Sequence, residues 1–296
     1  MKKLLFILSF FIAQNLFSQQ VQQYNLIFLN PTMISPTVNE QIETAKIFIN
    51  HKNQWIGYDE APLTSSISST FNLGEHVGLA CYYLNDKYGV FNKNELSFAY
   101  SYELNLKSSD LIFGLGTKLM SNKIDLSNSD IHESGDNLVE NSMNYSYIKP
   151  EADFGVSFVK RDFQTTLSIQ NLLSSSTSKN PENIKLYSHY NLLLKYKYHL
   201  NENVTILPNL YLTSNFQNPA VIMFSTVASY QNKFNFGVVY NHKTSANLLL
   251  GFSQKYFSAY CTYEFLYNSL QKSNAGSLEI SLNFNIFNQK TVRAIF

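Results

Sequence analysis

Leu96-Ser97-Phe98-Ala99-Tyr100-Ser101-Tyr102-Glu103-Leu104-Asn105-Leu106 decides the fold. Every second side chain is large and apolar, and those between are small or polar. Only an extended chain, whose side chains point alternately to opposite faces, gathers the first set on one side. Tyr190, Leu192, Leu194, Tyr196, Tyr198 and Leu200 repeat the pattern around Lys195, Lys197 and His199. So do Phe257-Ala259-Cys261-Tyr263-Phe265-Tyr267, and Leu278-Ile280-Leu282-Phe284-Ile286 around Glu279, Ser281, Asn283 and Asn285. Soluble strands average about five or six residues, whereas a tilted strand crossing a bilayer needs about nine to eleven. The length of these runs therefore points to a membrane.

Working outward, similar segments start near residues 43, 64, 76, 94, 110, 150, 162, 188, 203, 219, 233, 245, 255 and 276. Short polar turns fall at Gly74-Glu75, Lys107 to Asp110, Lys160 to Asp162, Asn201 to Asn203, Gln231 to Lys233 and Ser253 to Lys255. They alternate with mostly longer connections at 52–63, 85–93, 122–149, 172–187, 214–218, 242–244 and 268–275. The expectation is an all-β fold: an antiparallel transmembrane β-barrel of about 14 strands, with short periplasmic turns, longer extracellular loops and both ends periplasmic. Tyr82, Tyr83, Tyr196, Tyr198 and Tyr267 are expected in the interfacial aromatic girdles.

Met1-Lys2-Lys3, the apolar run Leu4 to Ala13 and the polar stretch to Gln20 have the three-part layout of a signal peptide, expected to span residues 1–18. Residues 19–41 then form a periplasmic or plug segment, 42–287 the barrel and 288–296 a C-terminal tail. Phe296 suits either a recognition signal for barrel assembly or that tail. No later apolar run approaches the roughly 18 residues of a spanning helix. With 20 Tyr and 23 Phe against 11 Gly and 7 Pro, disorder is excluded. A net charge of +1 gives no reason to expect nucleic acid, and two cysteines are too few for a disulfide-built fold. Cys81 and Cys261 fall on non-adjacent strands, which argues against a bridge.

Two regions carry more than the barrel pattern. Tyr24-Asn25-Leu26-Ile27-Phe28-Leu29-Asn30-Pro31 with Ile34-Ser35-Pro36 is one; Asn53-Gln54-Trp55-Ile56-Gly57-Tyr58-Asp59-Glu60-Ala61-Pro62, followed by Asn85-Asp86-Lys87-Tyr88-Gly89, is the other. Their order and spacing resemble the PorP/SprF family of type IX secretion and gliding-motility proteins. Its pattern is Tyr-x-x-Asn-Pro…Asn-Pro-Ala, then Arg-Asn-Gln-Trp-x-Gly-Phe-x-Gly-Ala-Pro, then Asn-Asp-x-x-Gly. Three departures stand out: Lys52 for Arg, Glu60 for a loop Gly, and Ser35-Pro36 for the second Asn-Pro. The resemblance implies a non-enzymatic outer-membrane protein without cofactor. It implies help in secreting or anchoring a large partner, such as an adhesin with a C-terminal sorting domain, alongside other type IX components. The partner-binding residues expected are Asn53, Gln54, Trp55, Gly57, Tyr58, Pro62, Asn85, Asp86, Asn30 and Pro31. The Trp55 loop docks a partner or folds inward; both readings are open, because loop aromatics need burial too.

Other chemistry is weaker. Asp125, Asp130, Glu133, Asp136 and Glu140 suggest calcium by ligand count, but their spacing is not an EF-hand and a solvated acidic loop is the expectation. Ser188-His189, or Ser68 with His51, lacks the motif context of a nucleophile and base, and no Gly-x-Ser-x-Gly elbow occurs. Gly114-Leu115-Gly116 lacks the helix of a dinucleotide site and is read as close packing inside the barrel. The alternatives to a secretion role are a channel for small or hydrophobic solutes and a structural scaffold. Ser97, Ser101, Asn105, Lys195, Lys197, Glu279 and Asn283 would line water in an open lumen or pack in a closed one. Lipid is the expected surrounding.

Overall fold

The computed structural model describes residues 24–38, 45–74, 76–125, 144–173, 187–267 and 274–286. Fourteen antiparallel strands run in sequence order: β1 Ala45–Asn53, β2 Leu63–Gly74, β3 Val77–Tyr88, β4 Phe91–Leu106, β5 Ser109–Asp125, β6 Asn144–Lys160 and β7 Phe163–Gln170. They continue with β8 His189–Tyr196, β9 Val204–Ser214, β10 Val221–Tyr230, β11 Phe234–Asn241, β12 Ser245–Ser253, β13 Phe257–Leu266 and β14 Ser277–Ile286. A break at Lys197 separates β8 from its two-residue continuation, Tyr198–His199. Each strand pairs with its neighbours in the chain. The ring closes where β1 meets β14, from Ala45↔Ile286 to Asn53↔Leu278. The barrel expected from the alternating runs is the fold observed.

Burial is inverted relative to a soluble protein. On β4, Leu96, Phe98, Tyr100, Tyr102, Leu104 and Leu106 are all exposed, while Ser97, Ser101 and Glu103 are buried. The apolar face looks out toward lipid and the polar face into the lumen. Ten residue steps from Leu96 to Leu106, at about 3.4 Å each and tilted about 40°, span roughly 25 Å, the height of the apolar band of such barrels. On the inward face of β14, Glu279 and Asn283 are likewise buried, whereas Asn105 and Lys197 are exposed.

Three readings need correction. Residues 85–93 are no loop: β3 and β4 pair up to Tyr88↔Phe91, so the connection is Gly89-Val90 alone. The longest connection is shorter than expected at both ends, because β5 reaches Asp125 and β6 starts at Asn144, with Pro150 inside it. Above the apolar band both faces of a strand are polar, so alternation disappears while pairing continues. Tyr82 leaves the girdle: it is buried in the lumen and donates to Glu95 Oε2 at 3.2 Å. Tyr83, Tyr196, Tyr198 and Tyr267 are exposed. Cys81 and Cys261 are free thiols.

Residues 24–38 run through the lumen. Tyr24, Leu26, Ile27, Phe28, Met33 and Ile34 form one buried apolar cluster with the inward side chains Leu193, Tyr211, Met223, Val227, Val239 and Leu249. β8 to β12 thus each place apolar side chains in the lumen, among buried polar neighbours such as Asn191, Ser225 and Asn247. This segment contains the short 3-10 turn Pro31–Met33.

Candidate functional site

The ends of the lumen segment are held by different physics. At the end of the barrel bearing the longer connections, Glu279 accepts from Asn25 N at 2.7 Å, Leu26 N at 3.3 Å and Asn50 Nδ2 at 2.9 Å. Lys52 pairs with Glu264 at 3.6 Å, and Glu264 also accepts from Ser245 Oγ. A carboxylate this buried is tolerated because its lone pairs are filled and a cation is near. Burial, reinforced by Asp86, Glu95 and Glu279, pushes the Tyr24 phenol well above its usual range, so it stays neutral. Lys52 therefore acts inside the barrel, at the place where the family pattern has Arg.

The other end is held by shape. A Cβ on Gly114 would lie 2.6 Å from the carbonyl carbon and oxygen of Pro36, and one on Gly155 would lie 2.5 Å from Ser35 Oγ. Thr37 Oγ1 meets Ser157 Oγ at 2.7 Å, and Ile34 O accepts from Ser168 Oγ at 2.5 Å. The Gly114-Leu115-Gly116 reading as close packing is borne out, with the lumen segment as the packed group.

Asn30 and Pro31 lie in this segment. Asn30 is buried and donates to Ser68 Oγ at 2.9 Å, and Pro31 opens the 3-10 turn. Asp86 also faces the lumen and accepts from Thr64 Oγ1 at 2.6 Å. All three lie on the lumen side and do not line the cleft at the outer rim. His51 Nδ1 meets Ser65 Oγ at 2.9 Å on the outward face, while Ser68 points inward, so that Ser–His pair is not assembled. Ser188 Oγ donates to Asn171 O at 2.9 Å. Asp130, Glu133, Asp136 and Glu140, like the signal and tail residues, lie outside the described residues.

The other expected residues converge at the outer rim. The β1–β2 loop is braced by Gln54 N to Pro62 O at 3.0 Å and by Ile56 N to Gly276 O and Ala275 N to Ile56 O, both at 2.8 Å. Gly89 N donates to Glu60 O at 3.0 Å, tying the loop to the β3–β4 hairpin. Within it Trp55 has φ +49°, Glu60 +57° and Gly57 +90°. A non-glycine residue costs about 1–3 kcal/mol there, and such strain persists only where the surroundings over-determine it. The Glu60 departure is now explicable: the family's Gly position is one that needs positive φ.

Beneath this loop is a cleft of about 500 Å³. Its lining includes Asn53, Trp55, Gly57, Tyr58 and Glu60 from β1 and the loop, and Lys87, Phe91, Asn92 and Lys123 from β3, β4 and β5. Gln54 and Pro62 brace its base rather than line it. Asn85 lies just below on the outward face, donating to Asn92 Oδ1 at 2.7 Å and Asn94 Oδ1 at 2.8 Å. Asn92 and Lys123 were missed from sequence, although a signal existed: they continue the greasy faces of β4 and β5 after those turn polar.

The family model described as type IX secretion system membrane protein PorP/SprF matches residues 16–284. The chain belongs to the PorP/SprF family. No curated protein matches it. Among solved structures, the toluene transporter TbuX of Ralstonia pickettii aligns with a TM-score of 0.53 and 8% identity, over 86% of this chain and 93% of that one. The Acinetobacter baumannii outer membrane protein Omp33 gives a TM-score of 0.48 at 8% identity, over 83% and 100% of the two chains. The TbuX likeness is one of fold alone: an outer-membrane barrel. This PorP/SprF chain is thus an outer-membrane component of type IX secretion, a class without known catalytic function.

Proposed function

We propose that this PorP/SprF protein is a closed accessory barrel that assists the secretion or surface anchoring of one large client, such as an adhesin with a C-terminal sorting domain. It works beside other secretion components and through its outer surface, not by conduction. The observation carrying this reading is the occupied lumen: an apolar cluster, a buried carboxylate clamp and a glycine-fitted segment fill it. In this reading residues 1–18 are a cleaved signal, 19–41 form the plug, 42–287 the barrel and 288–296 a tail. Asn53, Trp55, Gly57 and Tyr58 face the client or its assembly partners. Gln54 and Pro62 hold that loop, while Asn30, Pro31, Asn85 and Asp86 support it from the lumen and wall. A strained, braced aromatic loop at the rim supports this assignment.

Deletion of the gene should remove or mislocalise one large surface protein while other exports persist. Trp55→Ala combined with Tyr58→Ala should reproduce that loss with the barrel still inserted. An unchanged surface proteome in the deletion strain would refute the role; a normal one in the loop variant would refute the site.

A further inference from the structure

The lumen segment has a direction. The amides of Asn25 and Leu26 are held by Glu279, whose strand partner is Lys52, the second-last residue of β1 at its outer end. Asn30 then meets Ser68, which lies opposite Phe48 in the middle of β1. Pro36 and Thr37 follow against Gly114. A Cβ on Gly78, the second residue of β3 on the periplasmic side, would lie 2.9 Å from Val38 Cβ. From Tyr24 to Val38 the chain therefore descends from the outer mouth to the periplasmic end. Ala45 opens β1 at that same lower end: it pairs with Phe71, and Phe71 with Leu79, the neighbour of Gly78.

The upper end lies just under the rim. Tyr24 is buried near Asp86 and Glu279, and Asp86 is two residues short of Tyr88, where β3 ends. Trp55 N donates to Ser277 Oγ at 3.3 Å, so the rim loop passes over the strand whose Glu279 holds Asn25. The sequence changes character at the same point. Gln19-Gln20-Val21-Gln22-Gln23 is polar and uncharged, whereas Tyr24, Leu26, Ile27 and Phe28 belong to the buried cluster. Glutamine amides buried without partners cost several kcal/mol, while water at the mouth satisfies them. An extended run from Gln19 to Gln23 reaches roughly 17 Å, well beyond the ~7 Å covered by two strand residues.

We infer that the lumen segment threads with its N-terminal end leading, so that the mature chain begins at the cell-surface mouth, beside the Trp55 loop. An order of assembly follows, and it rests on the reading of residues 1–18 as a cleaved signal. A leader held in the inner membrane keeps the end of the chain on the periplasmic side, where it cannot stand at the outer mouth. Removal of the leader therefore precedes closure of the lumen, and the filled barrel is a state open only to the processed chain. The mature amino terminus is then a surface feature, although strand parity alone places both ends of the barrel in the periplasm.

Cysteine labelling of intact cells tests the direction. Cys81 and Cys261 are first replaced by serine, and single cysteines are then introduced by Gln22→Cys, by Asp59→Cys at the exposed outer rim and by Asn232→Cys in an exposed periplasmic turn. The probe is a membrane-impermeant maleimide carrying polyethylene glycol, read as a gel shift, with heat-modifiable migration confirming that each barrel is folded. Gln22→Cys should shift in intact cells as fully as Asp59→Cys, whereas Asn232→Cys should shift only after lysis. A Gln22→Cys shift that needs lysis, or none in either state, would overturn the threading. The mass of the purified chain separates the leader reading from the threading. A product starting near Gln19 is expected; one retaining residues 1–18 would overturn the order of assembly, while the label still reports the direction.

Discussion

The two ends of the lumen segment solve one problem in opposite ways. Near the outer rim, the backbone amides of Asn25 and Leu26 are captured by the carboxylate of Glu279, with the Lys52–Glu264 pair beside it. Near the periplasmic side, Pro36 and Ser35 rest on wall positions where Gly114 and Gly155 leave no room for a Cβ. Charge holds one end and volume the other. A clamp made of charge responds to the loss of an acceptor with little regard for size. A clamp made of shape responds to one added methyl group and ignores charge. Between them lies the apolar cluster of Leu26, Phe28 and Met33 with Leu193, Met223 and Leu249.

Substitutions that cross this distinction can break it. Glu279→Ala should have the largest effect, about 4 kcal/mol, because two backbone amides and Asn50 lose their acceptor and Lys52, still paired with Glu264, loses a second carboxylate nearby. Glu279→Gln keeps the volume and should cost about half as much; equal stability of Gln and wild type would mean that shape governs this end too. Gly114→Val should cost about 3 kcal/mol through overpacking against Pro36. A mild effect there would remove the shape clamp. Asn30→Ala, which deletes the hydrogen bond to Ser68, should cost about 1 kcal/mol. Each is read from the heat-modifiable gel transition in detergent. At the rim, Glu60→Gly should stabilise by up to about 1 kcal/mol, since it relieves a positive φ. Loss of stability in that variant would mean that the Glu60 side chain makes a contact worth more than the strain.

The same contrast explains what could be read from the sequence. The strands were legible because lipid on one side and a polar lumen on the other write a period of two into each segment, and most expected starts fall within three residues of the observed ones. Where the outer solvent changes from lipid to headgroup and water, the pattern vanishes. Asn85, Asp86 and Lys87 therefore read as a loop although they continue β3, and β6 reads as starting near Pro150 although it begins at Asn144. The lumen segment was harder. Residues 24–38 carry no alternation, and their burial depends on partners more than a hundred residues away, such as Glu279 and Gly155. The Gly114-Leu115-Gly116 spacing announced a close approach without saying what approached. The Trp55 block was legible through family resemblance, but its cleft was not, because Lys123 joins it only through the register of β4 and β5.

The central claim, a barrel filled by its own N-terminal segment, is tested most directly by conductance across a planar bilayer. The full-length protein should be electrically silent at physiological salt, and a variant lacking residues 24–38, confirmed as folded by heat-modifiable migration, should open steady channels. Steady channels from the full-length protein would contradict a filled lumen.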